Sequence, residues 1–91
     1  MSLAQQMGNI GSELGRARRC EAKNDRKNRD AALVRALALI DLTLSDRRWH
    51  ARFKELARFR EAVSHWFAES ADYDISPEAL EDYCTRFALR Q

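Results

Sequence analysis

The chain has 91 residues, 45% of them hydrophobic and 33% charged, with a formal net charge of +2, three glycines and one proline. This is the composition of one small helical domain over 1–91, and it excludes a fibrous or disordered polymer. No apolar run approaches the ~20 residues needed to span a bilayer, and two cysteines, Cys20 and Cys84, are too few for a disulfide framework. The opening "MSLAQQMGNI" has neither the basic start nor the apolar run of a signal peptide, so a reduced, cytoplasmic protein without a membrane partner is expected.

No strand pattern, repeat or low-complexity stretch appears, and the elements are expected to be helical throughout. In the first, Leu3, Met7, Ile10, Leu14 and Ala17 recur at alternating spacings of four and three and form one apolar stripe. At about 100° per residue, Ala4, Gly8, Gly11, Gly15 and Ala22 form a strip beside it with almost no side-chain bulk. The three glycines would each cost the helix about 1 kcal/mol against Ala. Close approach of another helix offsets that cost. A local break near Gly8–Gly11, or an anion site, is the alternative, but no Lys-Ser/Thr follows the glycines as in a phosphate loop. The stripe then fades into "CEAKNDRKNRD", read as a charged connector with Asn24 or Asn28 available to cap the next helix.

The second helix is expected over 31–44. Only Arg35, Asp41 and Thr43 are polar, so apolar side chains cover nearly the whole circumference and require enclosure. Four short helices cannot easily enclose one of their own number, so a subunit interface is expected to complete the cover. "SDRR" makes a short turn with Ser45 or Asp46 as N-cap, and the third helix is expected from about Asp46 to Glu69. Trp49, Phe53, Leu56, Val63 and Phe67 form its core stripe, widened by Phe59 and Trp66. After "SADYDIS" the fourth helix opens with Ser76 as N-cap, Pro77 at the first position and Glu78 near the positive helix end. Leu80, Tyr83, Cys84 and Phe87 face the core. The expected fold is all-α, a small bundle of three long helices and a shorter C-terminal one, in an oligomer.

Asp41 and Arg60 sit in or beside apolar faces of adjacent antiparallel helices. A buried ion pair fixing register is the expected arrangement, with a ligand-binding or catalytic couple as the alternative.

The charge is uneven. Residues 1–60 hold 14 Lys and Arg against 7 Asp and Glu, whereas residues 61–91 hold 2 against 7. A polyanion would meet the first part. The candidate nucleic-acid contacts are Arg16, Arg18, Arg19, Lys23, Arg26, Lys27 and Arg29 around the first connector, with Arg47, Arg48, Arg52 and Lys54 at the start of the third helix. Trp49 and His50 stand beside this second cluster and could stack bases.

Two further patterns bear on chemistry. Cys20, His50, His65 and Cys84 lack the short paired spacings of zinc ligands, and neither a metal nor another cofactor is expected. "RFREAVSH" resembles the Arg-(four to six residues)-His motif of HEPN domains, helical bundles of which many are dimeric metal-independent ribonucleases. By helical periodicity Arg58 and His65 share the polar face while Arg60 faces the core, so the resemblance implies Arg58 and His65 as the pair. A solvated histidine on a charged face is the simpler alternative.

The segments "GNIGSELGRA", "RALALIDLTLSDRRW" and "RFKELARFREAV" together resemble a family of short bacterial helical proteins, over most of the chain. Architecture and basicity are also similar to the Avd-type four-helix accessory proteins of diversity-generating retroelements. That likeness implies ring-like oligomers that bind reverse transcriptase and RNA. The sequence therefore leads to the expectation of a non-enzymatic, homo-oligomeric accessory protein that contacts RNA or DNA within a larger complex. A HEPN-like ribonuclease and a protein-only adaptor are the alternatives.

Overall fold

The computed structural model describes residues 1–69 and 75–89. Helix α1 spans Leu3–Ala22, α2 Arg26–Leu44, α3 Phe53–Ala68 and α4 Pro77–Leu89, with a 3-10 helix, Arg47–Arg52, leading into α3. Each long helix packs against two others: α1 and α3 both lie against α2 and α4. Pairings at both ends fix the directions. Arg29 reaches Trp66 and Arg60 reaches Asp41 between α2 and α3, Arg35 meets Glu13 between α1 and α2, and Arg18 meets Glu81 between α1 and α4. Neighbours run antiparallel, in an up-down-up-down all-α bundle.

The expected stripe of α1 forms the centre of the core: Leu3, Met7, Ile10, Leu14 and Ala17 are all buried. Around it stand Leu33 and Ile40 of α2, Leu56, Phe59 and Val63 of α3, and Leu80, Cys84 and Phe87 of α4. Each fully buried Leu, Ile or Met contributes about 1.5–3 kcal/mol of transfer free energy. Trp49, Trp66, Phe67 and Tyr83 are partly buried at the rim. Phe53, expected in the core, is instead 48% exposed. The 3-10 geometry before it, with Trp49 at φ −107°, ψ 19°, breaks the single helical register on which its placement depended.

The expected connector over residues 20–30 is mostly helix. α1 continues to Ala22 and ends in a Schellman arrangement, with Asn24 at φ 58°. The Asp25 and Asn24 N–H groups donate to the Cys20 and Glu21 carbonyls. Asp25, rather than Asn24 or Asn28, then caps α2 by accepting from the Asn28 N–H at 3.3 Å. Arg, Lys, Glu and Ala all favour helix, so these turns need no apolar stripe of their own. Ser2 closes the other end of α1 in a capping box with Gln5.

The remaining caps are local. Asp46 accepts from the Arg48 N–H at 3.0 Å, and Ser76 accepts from the Ala79 N–H at 3.2 Å. Most of the expected "SADYDIS" loop lies outside the described residues.

The glycines divide by position. A Cβ on Gly11 would stand 2.9 Å from the Cβ of Cys84, and one on Gly15 would stand 3.1 Å from a carboxylate oxygen of Glu81. The bare strip of α1 is therefore the seat of α4 at Gly11 and Gly15. Gly8 has open space beside it, and α1 is unbroken there.

Helix α2 is enclosed on one side only. Ala32, Leu33, Ala36, Ile40 and Thr43 are buried, while Val34 and Leu42 are 53% and 68% exposed, with Ala31 and Ala38 exposed between and beside them. Within one copy of the chain, nothing among the described residues covers this strip.

Candidate functional site

Folding brings the acidic part of the sequence onto the basic part. At the end of the bundle where α1 gives way to α2, Arg29 is only 2% exposed. Its guanidinium donates to the Trp66 carbonyl at 2.6 Å and to Asp30 at 2.7 Å. It also lies within ion-pair range of Glu21 and Glu69 and faces the Trp66 ring at 6.0 Å. Arg26 pairs with Glu69 at 3.1 Å. Arg18 pairs with Glu81 at 2.5 Å and with Glu78 at 3.5 Å, and its bond to Glu81 raises the guanidinium pKa. Arg16 is held by Glu13, which also accepts from Arg35.

The second basic cluster lies at the opposite end, near the start of α1. Arg48 is engaged by Asp46 at 2.7 Å, donates to the Met1 carbonyl and faces the Trp49 ring at 4.9 Å. The bond from Arg48 in turn holds the Asp46 carboxyl well below the usual carboxylate range. Arg52 faces the ring of Phe87 at 5.0 Å and pairs with Glu55 at 3.9 Å. Trp49 donates its indole N–H to Gln6 at 2.9 Å, which ties it to α1. The two clusters do not merge within one copy.

Eleven cationic residues were expected to face a nucleic acid. The structure removes Arg29 from the surface, because its position on α2 turns inward against Trp66. It engages Arg16, Arg18, Arg26, Arg48 and Arg52 with carboxylates. Arg19, Lys23, Lys27, Arg47 and Lys54 make no ion pair among the described residues.

Asp41 and Arg60 do pair, at 2.6 and 3.3 Å through the two carboxylate oxygens, and the bond raises the Arg60 pKa. The expected burial is corrected: their side chains are 54% and 39% exposed. Asp41 flanks the uncovered side of α2, so the pair sits at the edge of the core. Arg60 also reaches Ser64 on its own helix.

Arg58 and His65 line two adjoining hollows that share Ala62 and Ile75. Arg58 lines a groove of about 580 Å³ between α3 and α4. His65 lines a smaller hollow of about 260 Å³ with Glu21, Arg29 and Trp66 and lies 3.8 Å from Glu61. Among the described residues no three of His, Cys, Asp and Glu gather as a metal-ligand group. Cys20 and Cys84 are both unpaired thiols, and burial pushes the Cys84 thiol up to about 12.

The groove between α3 and α4 is the feature the sequence reading overlooked. Phe59, Ala62, Leu80 and Tyr83 form its floor, and Lys54, Arg58 and Arg86 line it. Glu55, also in the groove, accepts a short hydrogen bond from the Tyr83 hydroxyl. Lys54 and Arg58 are four apart and share a helix face, a signal present in the sequence. Arg86 joins them only through the antiparallel packing of α4.

No family model matches the chain, and no curated protein or solved structure matches it. Among the described residues no helix is long and apolar enough to cross a membrane.

Proposed function

We propose that this chain is a non-enzymatic helical accessory protein of the cytoplasm that assembles with copies of itself through α2 and works by protein contacts within a larger complex. The observation that carries this reading is the uncovered strip Ala31, Val34, Ala38 and Leu42 on a helix whose other side is built into the core. Exposed apolar strips of this kind mark interaction surfaces. The strip also has the symmetry of a self-association surface. Val34 and Leu42 lie four residues to either side of Ala38, and Arg35 and Asp41 lie three to either side. A second copy laid antiparallel about a two-fold axis at Ala38 puts Val34 level with Leu42 and Arg35 level with Asp41, with small residues at the crossing. A parallel arrangement in register would set like charge level with like.

The internal neutralisation of the arginines moves the balance from nucleic acid towards protein partners. A second reading, contact with RNA or DNA, is supported by Arg19, Lys23 and Lys27, which make no ion pair around the α1–α2 turn among the described residues. A ribonuclease rests on the motif resemblance of Arg58 and His65 alone and is not proposed.

Light scattering tests the first reading. A dimer or larger species at micromolar concentration is expected, and a monomer would contradict it. Titration with single-stranded RNA tests the second. Binding that weakens steeply with salt, and whose salt slope flattens in the Arg19→Gln/Lys23→Gln/Lys27→Gln variant, would install nucleic acid as a ligand. Binding that is absent or independent of salt would remove it.

A further inference from the structure

We infer that the groove between α3 and α4 is a docking site for an acidic, amphipathic helix of a protein partner. The inference rests on the accessory-protein reading and names the chemistry of the partner that such a protein would hold.

The floor is apolar and the cations are left over. Phe59 and Leu80 are buried, Tyr83 is partly so, and Ile75 stands 46% exposed beside them. Lys54, Arg58 and Arg86 line the same groove, are exposed, and make no ion pair among the described residues, whereas most other arginines of this chain are engaged by carboxylates. Glu55 accepts from Tyr83 and pairs with Arg52, and its single negative charge leaves the three cations in excess. A ligand that fills the groove must therefore bring aliphatic or aromatic side chains for the floor and negative charge for its cations. An amphipathic helix with apolar residues at i, i+3, i+4 and i+7 flanked by Asp or Glu does both. From Lys54 to Ala62 the α3 wall runs about 12 Å, or two turns at 1.5 Å per residue, and the volume of about 580 Å³ accepts several side chains.

The ring faces decide against nucleic acid at this place. Phe59 and Tyr83 pack at 5.0 Å with their ring planes tilted by 33°, and Tyr83 meets Phe87 edge-on at 5.2 Å. Phe59 is buried and Tyr83 is tied by its hydroxyl to Glu55, so the rings belong to the bundle and apolar side chains suit the floor better than a stacked base.

The probe is a 14-residue helical peptide with leucine at the apolar positions and glutamate at the flanking ones, titrated into the isotope-labelled full chain and followed by NMR. Its control has lysine in place of every glutamate. Expected are saturable shifts confined to α3 and α4 with the glutamate peptide, at least tenfold weaker binding by Arg58→Glu or Lys54→Glu, and no binding of the lysine peptide. Both substitutions are at exposed positions, and an unchanged helical circular dichroism spectrum verifies the fold. Equal binding of the two peptides, shifts centred on α2, or displacement of the peptide by single-stranded RNA would overturn the inference. The Leu42→Glu variant keeps the two proposals apart. Peptide binding retained in a monomer leaves the groove intact and locates self-association on α2. A wild-type oligomer that ignores the glutamate peptide removes the groove alone.

Discussion

Gly11 and Cys84 meet so closely that a methyl group on Gly11 would stand 2.9 Å from the Cys84 Cβ, an atom fixed to its own backbone. The glycines of α1 consequently differ in what they tolerate. Gly11→Ala is expected to destabilise the protein by about 1–3 kcal/mol through overpacking. Gly8→Ala meets nothing and is expected to stabilise it by up to about 1 kcal/mol through helix propensity. Gly15→Ala meets side-chain ends, of Glu81 and Arg19, which can give way more readily than a Cβ, and should fall between. Urea denaturation of the three variants checks the order, and equal effects at Gly8 and Gly11 would contradict the close seat of α4.

Arg29 holds together three elements. Its removal leaves the Trp66 carbonyl with the Glu69 N–H as its one remaining donor, and leaves Asp30, Glu21 and Glu69 gathered without the buried cation between them. Arg29→Ala is expected to cost about 2–4 kcal/mol, as for a buried charged group whose partners are left behind. Lys27→Ala, two residues earlier and exposed, is expected to change stability by less than about 0.5 kcal/mol. Comparable losses in the two variants would argue that Arg29 is not anchored as described.

The Asp46 carboxyl contributes stability with a definite pH sign. Arg48 holds its folded pKa below the ordinary value, so the contribution is complete above the unfolded value of about 3.9 and disappears as pH falls through the folded value. Thermal midpoints of wild type and Asp46→Asn should differ near neutrality and draw together progressively as the pH falls below about 3.9. A gap independent of pH would locate the effect in the helix cap alone.

Burial of Cys84 favours its neutral thiol in the folded state. Between the ordinary thiol value of about 8.5 and about 12, the unfolded chain gains by ionising and the folded one does not. Stability should therefore fall across that range by more in the wild type than in Cys84→Ala. A thiol reagent near neutral pH should label half-buried Cys20 first and Cys84 only on opening of the α1–α4 contact. Simultaneous labelling would show that α4 is not seated on Gly11.

The elements legible in the sequence were those set by local chemistry. The α1 stripe follows from periodicity, and the start of α4 follows from Ser76 and Pro77. The α1–α2 turn was read too long because its stop signal is one residue, Asn24, in the left-handed conformation within a charged stretch. Long-range electrostatics were the least legible. The contrast between residues 1–60 and 61–91 looked like a polyanion surface, but antiparallel packing lays Glu69, Glu78 and Glu81 on Arg26, Arg18 and Arg29. The Asp41–Arg60 pairing was legible from adjacent helices, while its exposure depended on which side of α2 lacked cover. The groove was only half legible, since Lys54 and Arg58 share a helix but Arg86 arrives from another.

Sedimentation equilibrium of the wild type beside a Val34→Glu/Leu42→Glu variant tests the central claim most directly. Both side chains already face water in the single copy, so the substitutions should leave the fold, judged by circular dichroism, unchanged. The account gives a dimer or larger species for the wild type at tens of micromolar, and a monomer for the variant. A wild type that remains monomeric, or a variant that associates as strongly, would contradict assembly through α2.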